Sequence, residues 1–385
     1  MLKRYLLTPG PTAVPPEVML RMSQPLIHHR TPEFEKLFTE VQEGLRWLFQ
    51  TEHEVLMLAS SGTGAMEAAV ANLCSVGDTV IVVNGGKFGE RWLKISEAFN
   101  LKPIEIKVEW GRAVHPSAIA EALKATPHAK AVLVQASETS TTALHPVKEI
   151  AELTRNTDTL LVVDGITSIG ATETPMDQWG LDVVVTGSQK ALMLPPGLAF
   201  IALNKRAWKT AETATLPRYY FDLRRERKEQ QKHTTAYTPA ISLINGLAEV
   251  LRLMKEEGLE HIFARHALLA KATRAAAQAL GLNLLAPTSP SPSATGVFLP
   301  EQINGSQFLK YTRDRMGVDI AGGQDHLKGK IVRISHIGYA GPFDVITAIS
   351  TLEMALRRFG HNVDLGRGVR ATEEVLMEGW PAIVG

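Results

Sequence analysis

Between residues 55 and 203, short β-branched apolar runs alternate with stretches of helical periodicity. The runs are 55–59 (VLMLA), 79–83 (TVIVV), 103–108 (PIEIKV), 131–135 (AVLVQ), 160–163 (LLVV), 183–186 (VVVT) and 198–203 (LAFIAL). Helical patterns follow at 65–74, 88–99, 116–125 and 147–154. Alternation of this kind predicts an α/β fold, a mostly parallel sheet covered by helices on both faces. In such sheets, ligands gather in the loops beyond the strand C-termini. Ser61, Phe88, Thr139, Asp164 and Lys190 each come just after an apolar run, so the pattern predicts that they share one rim.

The flanking segments read differently. Residues 8–16 (TPGPTAVPP) predict an extended arm, because each proline fixes φ and removes a backbone donor. A helix is expected over 33–49, with Phe34, Leu37, Phe38, Val41, Leu45, Leu48 and Phe49 on one face. Residues 215–235 are charged and net basic, as expected of a solvated or subunit-facing segment. A long helix follows, broken near Gly258, and TSPSPS (288–293) reads as a linker or turn. Strands at 296–299, 318–321 and 330–335, with helices at 306–316 and 343–359, then predict a small α+β unit. The expected layout is an arm (1–20), a large domain (21–255), a small domain (256–360) and a tail (361–385).

Composition narrows the function classes. The chain has 385 residues and a formal net charge of +1, so no basic surplus points to nucleic acid or a membrane surface. Its single cysteine, Cys74, excludes an intrachain disulfide and fits a reducing compartment. No apolar run reaches membrane-spanning length, and the one before Pro9 is too short for a signal peptide, so a cytoplasmic location is expected. His28 and His29 have no further His, Cys or acidic cluster to make a metal site and read as loop residues.

Four places could carry chemistry. Lys190 stands between TGSQ and ALML; desolvation would lower its pKa and make the amine a nucleophile, or it could simply cap a strand end in solvent. SSGTG (60–64), ahead of an alanine-rich helix, suits an anion because free N–H groups and the helix dipole point at the turn, although such turns also serve as plain N-caps. It is neither a P-loop nor the GxGxxG fingerprint. Asp164 either caps the turn after its strand or faces a cationic ring nitrogen. Arg333, inside IVRI, wants an anion: a structural acid or a substrate carboxylate held bidentately.

Together these segments resemble one family. TPGPTAVPP, SSGTGAMEAA, NGGKFGER, SETSTTALHPV, LLVVDGITSIGA, TGSQKALMLPPG, YTPAISL and KIVRISHIG are similar, in order, to the class V, fold-type I aminotransferases that depend on pyridoxal 5′-phosphate. The resemblance is closest to the alanine–glyoxylate and serine–pyruvate aminotransferases. It implies that Lys190 carries the Schiff base, Asp164 binds the pyridinium nitrogen and Ile166 presses on one ring face. Phe88 would stack on the other face, where relatives often carry tryptophan. Ser61, Gly62, Thr63 and Gln189 would hold the phosphate, Thr63 standing where relatives often have histidine. Thr139 would reach the ring hydroxyl, Arg333 the substrate α-carboxylate, and Gly10 would line the substrate site. Tyr237, with Thr234 or Thr238, would reach the phosphate of the neighbouring subunit in a homodimer.

The implied reaction is transamination between alanine or serine and glyoxylate or pyruvate. No second arginine stands out for a side-chain carboxylate, which favours small substrates. Two rivals remain on the same scaffold. A lyase or desulfurase would need a mobile cysteine, and Cys74 lies in the helix after the phosphate turn. A non-enzymatic interaction subunit of a redox complex would have no use for Lys190, Asp164 and Arg333 together.

Overall fold

The structure, a computed structural model, describes residues 2–380. Seven strands form the central sheet: β1 (Val55–Ser60), β2 (Thr79–Asn84), β3 (Lys102–Lys107), β4 (Ala131–Gln135), β5 (Leu160–Asp164), β6 (Val183–Gly187) and β7 (Gly197–Leu203). Their spatial order is β1-β7-β6-β5-β4-β2-β3. From β6 to β3 every pairing is parallel, whereas β7 runs antiparallel to both β6 and β1. The expected mostly parallel sheet is therefore present, with one reversed strand inserted near its edge.

Period-two alternation sends each strand's side chains into two cores. Val55 and Met57 of β1 pack with the helices Pro32–Phe49 and Ile241–Glu257 on one face. Leu56 and Leu58 pack with the helix Gly62–Leu73 and Trp92 on the other. Strand β3 is the exception: its sequence KPIEIK is mostly exposed, and its lysines and proline discourage further pairing at a sheet edge. Registers bring the strand ends level, with Asp164 opposite Gln135 and Val185, and Gly197 opposite Ser60.

The C-terminal part is built on an antiparallel sheet of β8 (Ala294–Phe298), β9 (Ala321–Gly322) and β10 (Ile331–Ser335), with β10 in the middle. Two expectations shift here. The single strand expected at 318–321 is two pieces: Val318–Asp319 pairs in parallel with Tyr5–Leu6 of the arm, and only Ala321–Gly322 joins β10. The arm takes the hydrogen-bonding edge of the first piece, and the buried Ile320 turns the chain between them. The helix expected at 306–316 is α-helical over Gly305–Tyr311 and becomes a π turn over Thr312–Met316, closed by Gly317 at φ +76°.

Of the two forms open to TSPSPS, linker or turn, the structure shows a partly buried turn. Ser291 and Ser293 are fully buried, and their hydroxyls lie 2.7 and 3.0 Å from Ser137 Oγ. The segment thus clamps the chain that leaves β4. The expected tail also folds: the helix Arg367–Gly379 adds Leu376 to the C-terminal core, and the buried Glu353 accepts the N–H groups of Gly366, Gly368 and Val369 at its start. Met1 of the arm and residues 381–385 of the tail lie outside the described residues. Among the described residues no helix is long and apolar enough to cross a membrane.

Candidate active site

Lys190 lies in the turn after β6, and the backbone around it is stapled. Ser188 Oγ donates to Pro195 O at 2.8 Å, while Lys190 O accepts from Met193 N (3.0 Å) and Thr12 Oγ1 (2.8 Å). The arm crosses directly over the side chain: Lys190 Nζ donates to Pro9 O at 3.2 Å. Gly10, at φ +148°, allows this approach, because a Cβ there would overlap Nζ. A neutral carbonyl is thus the only hydrogen-bond partner of the amine among the described residues. Desolvation, reinforced by the positive charge of Arg333, pushes its pKa down to about 8, and Asp164 opposes that shift only partly.

Asp164 ends β5 at 4% exposure, with Oδ1 accepting from Ile166 N at 2.9 Å. Burial pushes its carboxyl up to about 7, and the Ile166 hydrogen bond pulls the other way. No cation among the described residues pairs with it directly. Ile166 packs onto Gly62, where a Cβ would overlap its side chain. Aspartate, isoleucine and the start of the next helix therefore meet.

That helix start fits an anion. Ser61 is the N-cap of Gly62–Leu73, yet its side chain makes no capping bond and is exposed; Gly64 N donates to Ser61 O at 2.9 Å, and the Gly62 and Thr63 amides have no partner among the described residues. Gln189 Oε1 is buried with no partner. It belongs beside the turn, since a Cβ on Gly187 would lie 3.1 Å from it and 3.3 Å from Gly62 N. Rotation of the Gln189 amide would present its N–H groups to a phosphate entering there. The donor set fits pyridoxal phosphate.

Arg333 does not meet a structural acid among the described residues. It is 8% exposed and has no acid against it; Nε donates to Gly322 O (2.9 Å) and Nη1 to Thr139 O (2.7 Å). Two carbonyls fix the guanidinium and leave its charge uncompensated, with Nη2 lacking a protein partner among the described residues. Burial lowers its pKa to about 10, and Glu138 acts in the opposite direction. Thr139 shares a 2.7 Å hydrogen bond with Thr167 through its hydroxyl.

Two residues of this cluster went unremarked in the sequence reading. Arg91 donates to Thr63 Oγ1 at 3.0 Å, and its guanidinium stands 4.9 Å from the centre of the Phe88 ring. Glu138 is fully buried and accepts the Phe88 and Gly89 N–H groups at 3.1 and 3.0 Å. For Glu138 the signal was its place in SETST, a charged residue among small polar ones, whereas Arg91 lies in the helix Lys87–Ala98 among other charged residues and carried no distinct signal. Tyr237 and Thr238 stand apart from the cluster. They line a separate pocket with Met57, Ala59, Leu198 and Tyr220, where Tyr237 stacks on Tyr220 with centroids 4.9 Å apart. Thr234 Oγ1 donates to His29 O at 3.3 Å.

A desolvated amine, a buried carboxylate, a hydroxyl-rich helix start and a carbonyl-held guanidinium are brought together here. Residues 4–341 match the family described as aminotransferase class V. The chain belongs to the class V aminotransferases. Enzymes of this family depend on pyridoxal 5′-phosphate, and the fold is their type I fold.

Among relatives, the soluble hydrogenase small subunit of a Synechococcus species is 43% identical over 97% of this chain and 98% of its own. The L-aspartate–glyoxylate aminotransferase of Paracoccus denitrificans is 35% identical over 95% of this chain and 94% of its own. Among solved structures, the ureidoglycine–glyoxylate aminotransferase of Bacillus subtilis matches with a TM-score of 0.94 at 31% identity, over 98% of this chain and 99% of that one.

A cysteine-based reaction of the desulfurase kind does not suit this aminotransferase. Cys74 is 2% exposed at the end of its helix, and burial pushes its thiol up to about 12.

Proposed function

We propose that this aminotransferase moves an amino group from alanine or serine to glyoxylate or pyruvate. The observation that carries the reading is Arg333: a buried guanidinium held by two carbonyls, with no ion-pair partner among the described residues, near enough to Lys190 for its charge to lower the pKa of that amine. Such a cation is open to a substrate α-carboxylate.

Bound pyridoxal phosphate would supply the electron sink that stabilises negative charge at the substrate α-carbon. Ser61, Gly62, Thr63 and Gln189 are assigned to its phosphate, Ile166 and Phe88 to the two ring faces, and Thr139 to the ring hydroxyl. Asp164, ionised when a cation stands against it, holds the proton of the ring nitrogen. Lys190 Nζ, with its pKa near 8, is matched to taking a proton from the α-carbon and returning it one position away. Gly10 keeps the arm close enough to shield that amine from water. We assign Tyr237, with Thr234 or Thr238, to the phosphate of a second subunit. The exposed tyrosine cluster of Tyr219 and Tyr220 beside Tyr237 supports a homodimer. A single buried cysteine is consistent with a cytoplasmic enzyme.

Small donors are favoured because Arg91, the other guanidinium here, is already turned onto Thr63 and the Phe88 ring. Glyoxylate as acceptor is supported by the names of the Paracoccus and Bacillus relatives. A donor–acceptor matrix on the purified protein is the deciding experiment. Aspartate consumed much faster than alanine would refute the small-donor preference, and the Paracoccus enzyme makes that comparison pointed.

Two outcomes follow from the electrostatics. Arg333→Gln should raise KM for both substrates about a hundredfold with a smaller effect on kcat, because the lost contact is made to the bound carboxylate throughout. The cofactor-free protein should capture pyridoxal phosphate faster as pH rises, levelling off above about 8, where the Lys190 amine is already neutral; stopped-flow absorbance reads this directly.

A second reading, a subunit of a redox complex, is motivated by the name of the Synechococcus relative. The set Lys190, Asp164 and Arg333 argues against it. Cofactor bound without any half-reaction on adding alanine would favour it.

A further inference from the structure

We propose that Glu138 is a positioning residue that ties the aromatic wall of the site, Phe88, to its guanidinium anchor, Arg333. The inference rests on the cofactor site proposed above. Glu138 is fully buried and forms no ion pair among the described residues. Four donors converge on its carboxylate: Phe88 N (3.1 Å) and Gly89 N (3.0 Å) on Oε2, and Ser140 N (3.2 Å) and Ser140 Oγ (2.5 Å) on Oε1. Ser140 Oγ in turn accepts from Lys87 N at 3.0 Å.

The first three N–H groups of the helix Lys87–Ala98 are therefore satisfied by two side chains from a segment about fifty residues away. The helix's own N-cap, Gly86, offers none, and a Cβ there would lie 2.5 Å from Glu138 Cδ. The missing side chain at 86 is what admits the carboxylate. Burial pushes the Glu138 carboxyl above the usual carboxylate range, and the four donors, set at the positive end of the helix dipole, favour the ionised form against it.

Helix capping alone would be a contribution to stability. The neighbours of Glu138 make it more than that. Phe88, whose N–H it fixes, carries the ring assigned to the cofactor face. The very next residue, Thr139, gives its carbonyl to Arg333 Nη1 and its hydroxyl to Thr167, on the turn after Asp164. One dipeptide thus sets the height of the aromatic wall and the reach of the guanidinium. Glutamine at 138 would turn an N–H either toward the Phe88 and Gly89 amides or toward the Ser140 amide and hydroxyl, and force that turn to move.

The test uses the full-length protein stripped of cofactor and titrated with pyridoxal phosphate. Glu138→Gln, Phe88→Ala and the double variant are compared by dissociation constant, by visible circular dichroism of the bound cofactor and by KM for alanine. Glu138→Gln should weaken cofactor binding about tenfold, lower the dichroic band and raise KM more than it lowers kcat. In the Phe88→Ala background the same substitution should cost less than about twofold in binding, because its effect runs through that ring. Additive losses, or a folded Glu138→Gln protein with unchanged binding and dichroism, would overturn the assignment. If Glu138→Gln fails to fold, Ser140→Ala removes one anchor of the same turn. A loss of about threefold in binding that vanishes beside Phe88→Ala supports the assignment, and an additive loss overturns it. A wild-type chain that takes up no cofactor would overturn the proposed site itself, a distinct failure.

Discussion

Lys190→Ala should lose transamination by about 10⁴-fold while keeping its fold, since the amine is asked to act as both nucleophile and proton carrier. The structure explains why the chain tolerates the change. The side chain makes one hydrogen bond, to Pro9 O at 3.2 Å, and the backbone at 190 is held independently by Thr12 and Met193. Desolvation already disfavours its charged form, so its removal strands no ion pair. The measurement is a single-turnover reaction with alanine, followed by absorbance of the cofactor. Small primary amines added to the variant should restore part of the rate, because truncation leaves room beneath Gly10 for a free amine. A variant that transaminates at the wild-type rate would remove Lys190 from the mechanism altogether.

Asp164→Asn is expected to lower kcat about a thousandfold, because asparagine carries no charge with which to hold a proton on a ring nitrogen. A second signature separates this electrostatic role from a packing one. In the cofactor-free protein the Asp164 carboxyl is raised from 3.8 to about 7 by burial. Between those two values the folded chain holds a proton that the unfolded chain has released, so stability falls as pH rises through that window. Above about pH 7 the cost is fully present, on the order of a few kcal/mol. Cofactor-free Asp164→Asn should accordingly melt higher than wild type at pH 8, and the difference should close below about pH 4. Binding of the cofactor should reverse the ranking, because the ring cation then favours the ionised aspartate. Equal melting curves at both pH values would mean that Asp164 is not held in a desolvated setting.

Much of the candidate site was legible in the amino-acid sequence. A buried strand, a hydroxyl-rich turn and a helix occupy windows of about ten residues, and hydrophobic period and turn chemistry act within such windows. For that reason Ser61, Phe88, Thr139, Asp164 and Lys190 could be placed just after strands, and the α/β class followed from the alternation; Ile166 and Gln189 came only from the family resemblance. Arg333 could be named as a cation in search of an anion. Its actual partners could not, because the carbonyls of Gly322 and Thr139 belong to segments that only the folded chain brings to it. Glu138 was illegible for a similar reason. A charged residue in a polar turn looks solvated until packing closes over it.

What the amino-acid pattern decided was therefore the kind of element at each place and the chemical identity of the groups at the rim. Folding in three dimensions decided which groups face each other. It reversed β7 and inserted it between β1 and β6, a pairing that alternation cannot reveal because buried strands look alike in either direction. It split 318–322 between the arm and β10, and drew TSPSPS into the core beside Ser137. It also laid the arm across Lys190, so that a glycine near the start of the chain leaves the space for an amine 180 residues later. Periodicity is a property of neighbours in sequence, whereas hydrogen-bond partners, burial and the pKa values that follow from them belong to neighbours in space.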